Sequence, residues 1–170
     1  MHTAYIGLGA NLPGPAGAPE ATLAAAAARL EALGRVAARS SLYSTAPVGF
    51  ADQPRFLNAV VALETELRPR ALLEALVEIE REFGRDRSAG IANGPRTLDL
   101  DILLFDDFVV GEADLAIPHP RMEERAFVLV PLTEIAPHAV DPRSGRTVTQ
   151  LLHGLSIPPE SINKIVWPRS

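Results

Sequence analysis

Thr97-Leu98-Asp99-Leu100-Asp101-Ile102-Leu103-Leu104 is the stretch on which the reading of this sequence turns. Apolar side chains recur at every second position, the period of a strand with one buried face. On that reading Leu98, Leu100, Ile102 and Leu104 enter the core together. Asp99 and Asp101 then project from the opposite face, with α-carbons about 6.6 Å apart. Aspartate is depleted in strands, and like charges this close repel. Taken alone, the pair reads as a solvated strand face; with positive charge nearby, it reads as a cation site.

Upstream, residues 5–8 form a predicted strand that ends at Gly9-Ala10-Asn11. Pro19 and Glu20 suit the first turn of a helix whose stripe is Leu23, Ala26, Ala27, Leu30 and Leu33, with Gly34 where a C-terminal glycine belongs. Residues 36–43 and 56–65 read as strands. Pro69 opens a second helix with Leu72, Leu73, Leu76, Ile79 and Phe83 on one side, closed by Gly84. Residues 98–105 complete the order β-α-β-β-α-β. That is an α+β, ferredoxin-like core: a mostly antiparallel sheet with helices on one face. A C-terminal extension follows, with a helix at 128–135 and another that Thr147-Val148-Thr149-Gln150 opens as a capping box. No repeat or low-complexity linker divides the chain, so residues 1–170 are expected to form one domain.

The chain has 170 residues and a net charge of −5, from 16 basic and 21 acidic side chains. That balance argues against a nucleic-acid coat or a membrane-surface binder, both of which want a basic surface. Cysteine is absent, which excludes disulfides, thiolate–zinc sites and thiol nucleophiles. Lys164 is the sole lysine, and no G-x-x-x-x-G-K-[ST] occurs, so a P-loop is excluded. The start carries no basic segment followed by an apolar one, and the expected setting is a cytoplasmic monomer.

Against this background the surroundings of the aspartate pair stand out. Arg96 directly precedes the strand, and Arg85 and Arg87 begin the long glycine-rich loop of residues 84–95. Guanidinium groups facing a carboxylate pair through such a loop resemble a polyphosphate–magnesium site, where Arg grips phosphate by forked hydrogen bonds. A second long loop, residues 45–55, precedes a strand on which Phe56, Asn58 and Val60 share one face. Asparagine is a poor strand residue, and an edge strand facing water would explain it. Beside an aromatic ring it could equally read the edge of a flat polar heterocycle. Glu80, on the apolar stripe of the second helix, either caps a loop or meets ligand hydroxyls. His119 is locked between Pro118 and Pro120, and His2, His138 and His153 lack metal-ligand spacing to it.

Assembled, these segments closely resemble the 6-hydroxymethyl-7,8-dihydropterin pyrophosphokinases of folate biosynthesis. The resemblance rests on residues 5–12 (Tyr-Ile-Gly-Leu-Gly-Ala-Asn-Leu), Asp52-Gln53-Pro54 with Phe56-Leu57-Asn58, Gly94-Pro95-Arg96-Thr97-Leu98-Asp99-Leu100-Asp101, and Pro118-His119 through Arg125-Ala126-Phe127. It implies transfer of pyrophosphate from ATP to the pterin hydroxymethyl group. Asp99 and Asp101 would ligate two Mg²⁺ ions, with Arg85 and Arg96 beside them as catalytic residues. Thr45, Val48 and Asn58 would hydrogen-bond the pterin, and Phe56 and Phe127 would wall it. Glu80, Arg85, Arg87, Arg96, His119 and Arg125 would contact ATP. Asn93 stands where the family often has tryptophan, and Phe56 where tyrosine is common. Read without the resemblance, the same aspartates would suit another two-metal nucleotidyltransferase or a phosphohydrolase. A non-catalytic ferredoxin-like RNA-binding module fits less well, for want of basic charge and interleaved aromatics.

Overall fold

A computed structural model describes residues 1–47, 52–85, 95–157 and 161–169. β1 (His2–Ala10) runs antiparallel between β4 (Phe56–Thr65) and β5 (Asp99–Phe105). β2 (Arg35–Arg39) and β3 (Leu42–Thr45) pair along the other edge of β4, and β8 (Ile162–Ile165) pairs with β3. The order β5-β1-β4-β3-β8 contains the expected β-α-β-β-α-β core with one added strand. α1 (Pro19–Leu30) and α2 (Pro69–Glu82) both pack on one side of it.

The alternation of the strands builds that side. Ala4, Ile6 and Leu8 of β1, Ala59, Val61 and Leu63 of β4, and Leu100 and Ile102 of β5 are buried there. They meet Leu23, Ala26 and Leu30 of α1 and Leu72, Leu76 and Ile79 of α2, the stripes read from the sequence. Each helix starts on a proline whose missing N–H costs nothing in the first turn. Gly84 ends α2 with φ 86°, a conformation that favours glycine.

The other side is covered only in part. α3 (Ala126–Ile135) and α4 (Val148–His153) place Val128, Leu129, Leu132, Val148 and Leu151 against Val60, Leu103 and Leu104. The one-sided arrangement thus holds for α1 and α2, while the C-terminal extension lays helices on the opposite face. Thr147 and Gln150 form the expected capping box, with bonds of 3.1 and 2.8 Å. Among the described residues, no helix is long and apolar enough to cross a membrane.

Local departures from the expected pattern have identifiable causes. Leu104 does not join Leu98, Leu100 and Ile102. Tyr5 faces Leu104 but Ile6 faces Ile102, so Leu103 is the extra residue of a β-bulge. Beyond it Leu104 turns to α3, and Phe105 returns to the α1/α2 side. The strand expected at 36–43 is broken at Ser40, whose hydroxyl accepts the Val60 N–H at 2.9 Å and donates to the Ser41 carbonyl at 2.8 Å. α1 ends at Leu30, because Glu31 and Leu33 donate to Ala28 and Leu30 in tightened turns. Gly34 is therefore no helix cap. A Cβ there would lie 2.0 Å from the Glu64 carbonyl oxygen, so the residue is small to let the chain enter β2 against β4. The hairpin of β6 (Val110–Glu112) and β7 (Leu115–Ile117), like β8, is too short to show a period in sequence.

Candidate active site

The sheet register brings chemistry to the face that α1 and α2 do not cover. Asp99 lies opposite Gly9, and Gly9 opposite Asn58; in the next row Asp101 lies opposite Gly7, and Gly7 opposite Val60. A cavity opens over these rows. The two glycines keep its floor bare. A Cβ on Gly9 would meet the Asn58 Oδ1 at 3.0 Å, and one on Gly7 would touch the Leu103 side chain at 3.4 Å. Thus the carboxylates occupy one end of the floor and a carboxamide the other, with open space between.

At the carboxamide end Asn58 donates through Nδ2 to Thr45 Oγ1 at 2.6 Å, and both residues are nearly buried. Such a bond fixes the amide plane. Phe56, two residues earlier on β4, and Phe127, in the first turn of α3, line the same cavity. The Arg96 guanidinium lies 5.4 Å from the Phe56 ring centre, and that of Arg125 lies 5.5 Å from Phe127. Each ring therefore faces both the cavity and a cation.

At the carboxylate end Asp99 accepts from Arg96 Nη1 at 3.2 Å and lies 3.6 Å from Arg85 Nη1. The strand bearing it is at the sheet edge, so its outward backbone groups need other partners. Arg85 donates to the Leu98 carbonyl at 3.2 Å. The Glu80 carboxylate accepts the Leu100 N–H at 2.7 Å, and the His119 N–H donates to the Leu103 carbonyl at 2.9 Å. Glu80 is wholly buried behind β5 and is not among the residues lining the cavity. As placed, it satisfies the backbone between the two aspartates, within strand β5 and not on a loop.

His119 sits behind the carboxylates with its proton affinity lowered, from the ordinary 6.5 to about 4. Burial is the main cause, and the positive field of Arg125 the next, opposed by Asp99. Its Nδ1 accepts the Arg121 N–H at 3.3 Å, so the neutral ring carries its proton on Nε2. Burial and the neighbouring Arg121 also draw Arg125 below the ordinary arginine value.

Thr45, Phe56, Asn58, Arg96, Asp99, Asp101, Arg125 and Phe127 all line one cavity. Arg85 and His119 stand behind it, in contact with the Asp99 strand. Val48 and Arg87, together with Asn93, lie outside the described residues. Two positions carry more than the sequence reading gave them. Arg121 lines the cavity. Asn11, only 3% exposed, donates to Gln53 and Pro54 at 2.9 and 3.0 Å and accepts the Arg96 N–H at 2.9 Å. It joins the ends of both long loops to β1. A buried asparagine directly after a strand was the available signal, since such a group must be bonded.

Comparison with known proteins agrees with this geometry. The family model described as 7,8-dihydro-6-hydroxymethylpterin-pyrophosphokinase (HPPK) matches residues 5–137. A 2-amino-4-hydroxy-6-hydroxymethyldihydropteridine pyrophosphokinase of Methylorubrum extorquens is 44% identical over 167 residues, covering 97% of this chain and 99% of that protein. One from Pseudomonas aeruginosa is 47% identical over 148 residues, or 87% of this chain and 88% of its own. Among solved structures, a Plasmodium falciparum HPPK-DHPS with pterin and p-hydroxybenzoate has a TM-score of 0.74 at 16% identity, over 96% of this chain and 46% of that one. That likeness shows the fold, and this chain spans under half the length of the Plasmodium protein. The family match sets aside both the unrelated two-metal enzymes and the RNA-binding module. The chain belongs to the 6-hydroxymethyl-7,8-dihydropterin pyrophosphokinase family, enzymes that transfer pyrophosphate from ATP to hydroxymethyldihydropterin in folate synthesis.

Proposed function

We propose that the cavity over Gly7 and Gly9 is where this chain carries out that transfer, with the pterin at the Asn58 end and the triphosphate at the Asp99–Asp101 end. The observation that carries the assignment is the cross-strand row Asp99–Gly9–Asn58. Neighbouring strands lie about 4.8 Å apart, so the row separates the α-carbons of Asp99 and Asn58 by about 10 Å. A flat heterocycle held by Asn58 can then direct its hydroxymethyl group along the bare floor toward the aspartates.

At the acceptor end Thr45 orients the Asn58 amide, Asn58 reads the polar edge of the pterin, and Phe56 and Phe127 cover its faces. By the family resemblance, Val48, which precedes β4 in sequence, would contribute to the same subsite. Arg96 and Arg125 lie on the cavity and are placed to fork onto phosphate oxygens, with Arg85 behind Asp99. By the family resemblance, Arg87, which follows Arg85 in sequence, would add a further ATP contact. Neutral His119 supplies an Nε2–H donor, and Glu80 supports β5 on the nucleotide side. The hydroxymethyl oxygen bonds to the β-phosphorus of ATP, the bond from that phosphorus to the α,β-bridging oxygen breaks, AMP leaves, and the hydroxyl proton is released to water. Reaction of this kind demands in-line positioning and charge stabilisation more than covalent help from side chains.

The donor set fits magnesium. Asp99 and Asp101 offer oxygen only, and the described residues hold no group of three or more acidic, histidine or cysteine side chains suited to a metal. Magnesium is commonly held by one or two carboxylates, with substrate phosphates and water completing its shell. Two bound Mg²⁺ ions would supply charge neutralisation on the triphosphate and a lower pKa for the attacking hydroxyl.

The test is incubation with ATP, Mg²⁺ and 6-hydroxymethyl-7,8-dihydropterin. AMP and pterin diphosphate are expected in equal amounts, with neither formed when pterin is omitted. AMP release that ignores the pterin would overturn the assignment.

A further inference from the structure

We propose that Arg121 is an additional anion-binding residue of this cavity, exchanging its ion pair with Glu124 for a phosphate oxygen when the triphosphate binds. The inference rests on the triphosphate assignment above and extends it to a residue that the sequence reading left without a role.

Arg121 lines the cavity beside Arg125, at the rim. Its main chain is anchored there. The Arg121 N–H donates to His119 Nδ1 at 3.3 Å, and the next residue, Met122, is wholly buried in the α3/α4 cluster. The side chain is not anchored to the same degree. It is 53% exposed, and its Nε lies 3.5 Å from Oε2 of Glu124, which is 62% exposed. A long, exposed ion pair of that kind is weak and easily exchanged. The carboxylate is also off the cavity lining, so the Arg121 head group has one partner outside the site and open space inside it.

Electrostatics supplies the driving force. Asp99 is already matched by Arg85 and Arg96 on its own side. Across the rim Arg121 and Arg125 meet as like charges, and Arg121 is the charged neighbour that most disfavours the cationic form of Arg125. Asp99 and Asp101 offset this field in part. Guanidinium groups crowded at a cavity mouth repel until an anion comes between them. A polyphosphate relieves that repulsion and accepts a fork from each.

Calorimetric binding of α,β-methylene-ATP with Mg²⁺ tests this, with adenosine and the pterin titrated separately as phosphate-free controls. R121Q is expected to weaken the ATP analogue roughly tenfold, the size of one lost charge-assisted contact, and to leave both controls within about twofold. R121K should recover part of the loss, keeping the charge without the fork, and E124Q should tighten the analogue by about two- to threefold. An R121Q protein that binds the analogue as the wild type does overturns the inference. So does an equal loss for the adenosine and pterin controls, which would mark a structural role. Wild-type protein that fails to make pterin-dependent AMP overturns the triphosphate assignment itself, a result distinct from either.

Discussion

Along β1, Ala4, Ile6, Leu8 and Ala10 are buried against α1 and α2, whereas Gly7 and Gly9 between them form the floor of the cavity. The same division runs through β4, where Ala59 and Val61 pack inward and Asn58 looks into the site, and through β5, where Leu100 and Ile102 alternate with Asp99 and Asp101. On one side every position carries volume, because burial of apolar area stabilises the fold. On the other, around the cavity floor, Gly7 and Gly9 lack side chains and Asn58, Asp99 and Asp101 are polar or charged, beside the apolar Val60 and Leu103. Glycine, asparagine and aspartate all weaken a strand. The sheet tolerates them because the buried face supplies the cohesion, and because α3 and α4 cover the remainder of the open face. Binding space is thus made by withholding side chains along a row whose register the packed face has already fixed.

The sharpest way to break this division is to exchange properties between the faces. D99A or D101A is expected to lower turnover by at least about 10²–10³-fold, the scale of a lost transition-state electrostatic group. D101A should at the same time melt within a few degrees of wild type, since its side chain lines the cavity and not the core. Near-normal turnover in either variant contradicts the metal assignment. The mirror experiment is I6A, one residue from Gly7. Removing that buried side chain should destabilise the protein by about 2–5 kcal/mol in urea unfolding, with kcat of the folded fraction near that of wild type. A large fall in kcat without loss of stability would show that the faces are not separable.

Smaller changes sharpen the same comparison. G9A places a methyl group 3.0 Å from Asn58 Oδ1 and should raise the KM for pterin roughly tenfold, leaving that for ATP within about twofold. An equal rise in both would mean that Gly9 serves the strand rather than the acceptor end. The smallest effect concerns pH. With His119 at about 4 in the folded protein and 6.5 as its ordinary value, the unfolded chain takes up a proton as pH falls through 6.5, which the native ring refuses until about 4. Native stability from this group is therefore complete above pH 6.5 and is lost between 6.5 and 4. H119N should flatten the wild-type stability curve over that window. Parallel curves for the two proteins would show that the ring is not held neutral.

Much of this was legible in sequence for a physical reason: alternation and helical stripes are local, and they predicted the α1/α2 side almost residue by residue. The aspartate pair was legible because two like charges on one strand face contradict a purely structural reading. What escaped depends on contacts distant in sequence. The bulge at Leu103 adds one residue opposite β1, and nothing in a run of leucines marks which one is extra. The break at Ser40 depends on a bond to Val60, and the smallness of Gly34 on the Glu64 carbonyl. Glu80 read as a misfit on an apolar stripe, but its partner, the N–H of Leu100, is known only once β5 lies at the sheet edge. Arg121 carries no local signal in the sequence, and only the folded chain brings it to the cavity lining.

On the proposed assignment, one sheet face holds the pterin and the triphosphate at opposite ends of a bare glycine floor. A crystal structure with Mg²⁺, α,β-methylene-ATP and 6-hydroxymethylpterin tests it most directly. The predicted result is the pterin on Asn58 between Phe56 and Phe127, its hydroxymethyl oxygen facing the β-phosphorus over Gly9, and Mg²⁺ about 2.1 Å from oxygens of Asp99 and Asp101. A triphosphate bound away from the two aspartates, or a pterin outside the gap between the phenylalanines, would contradict it.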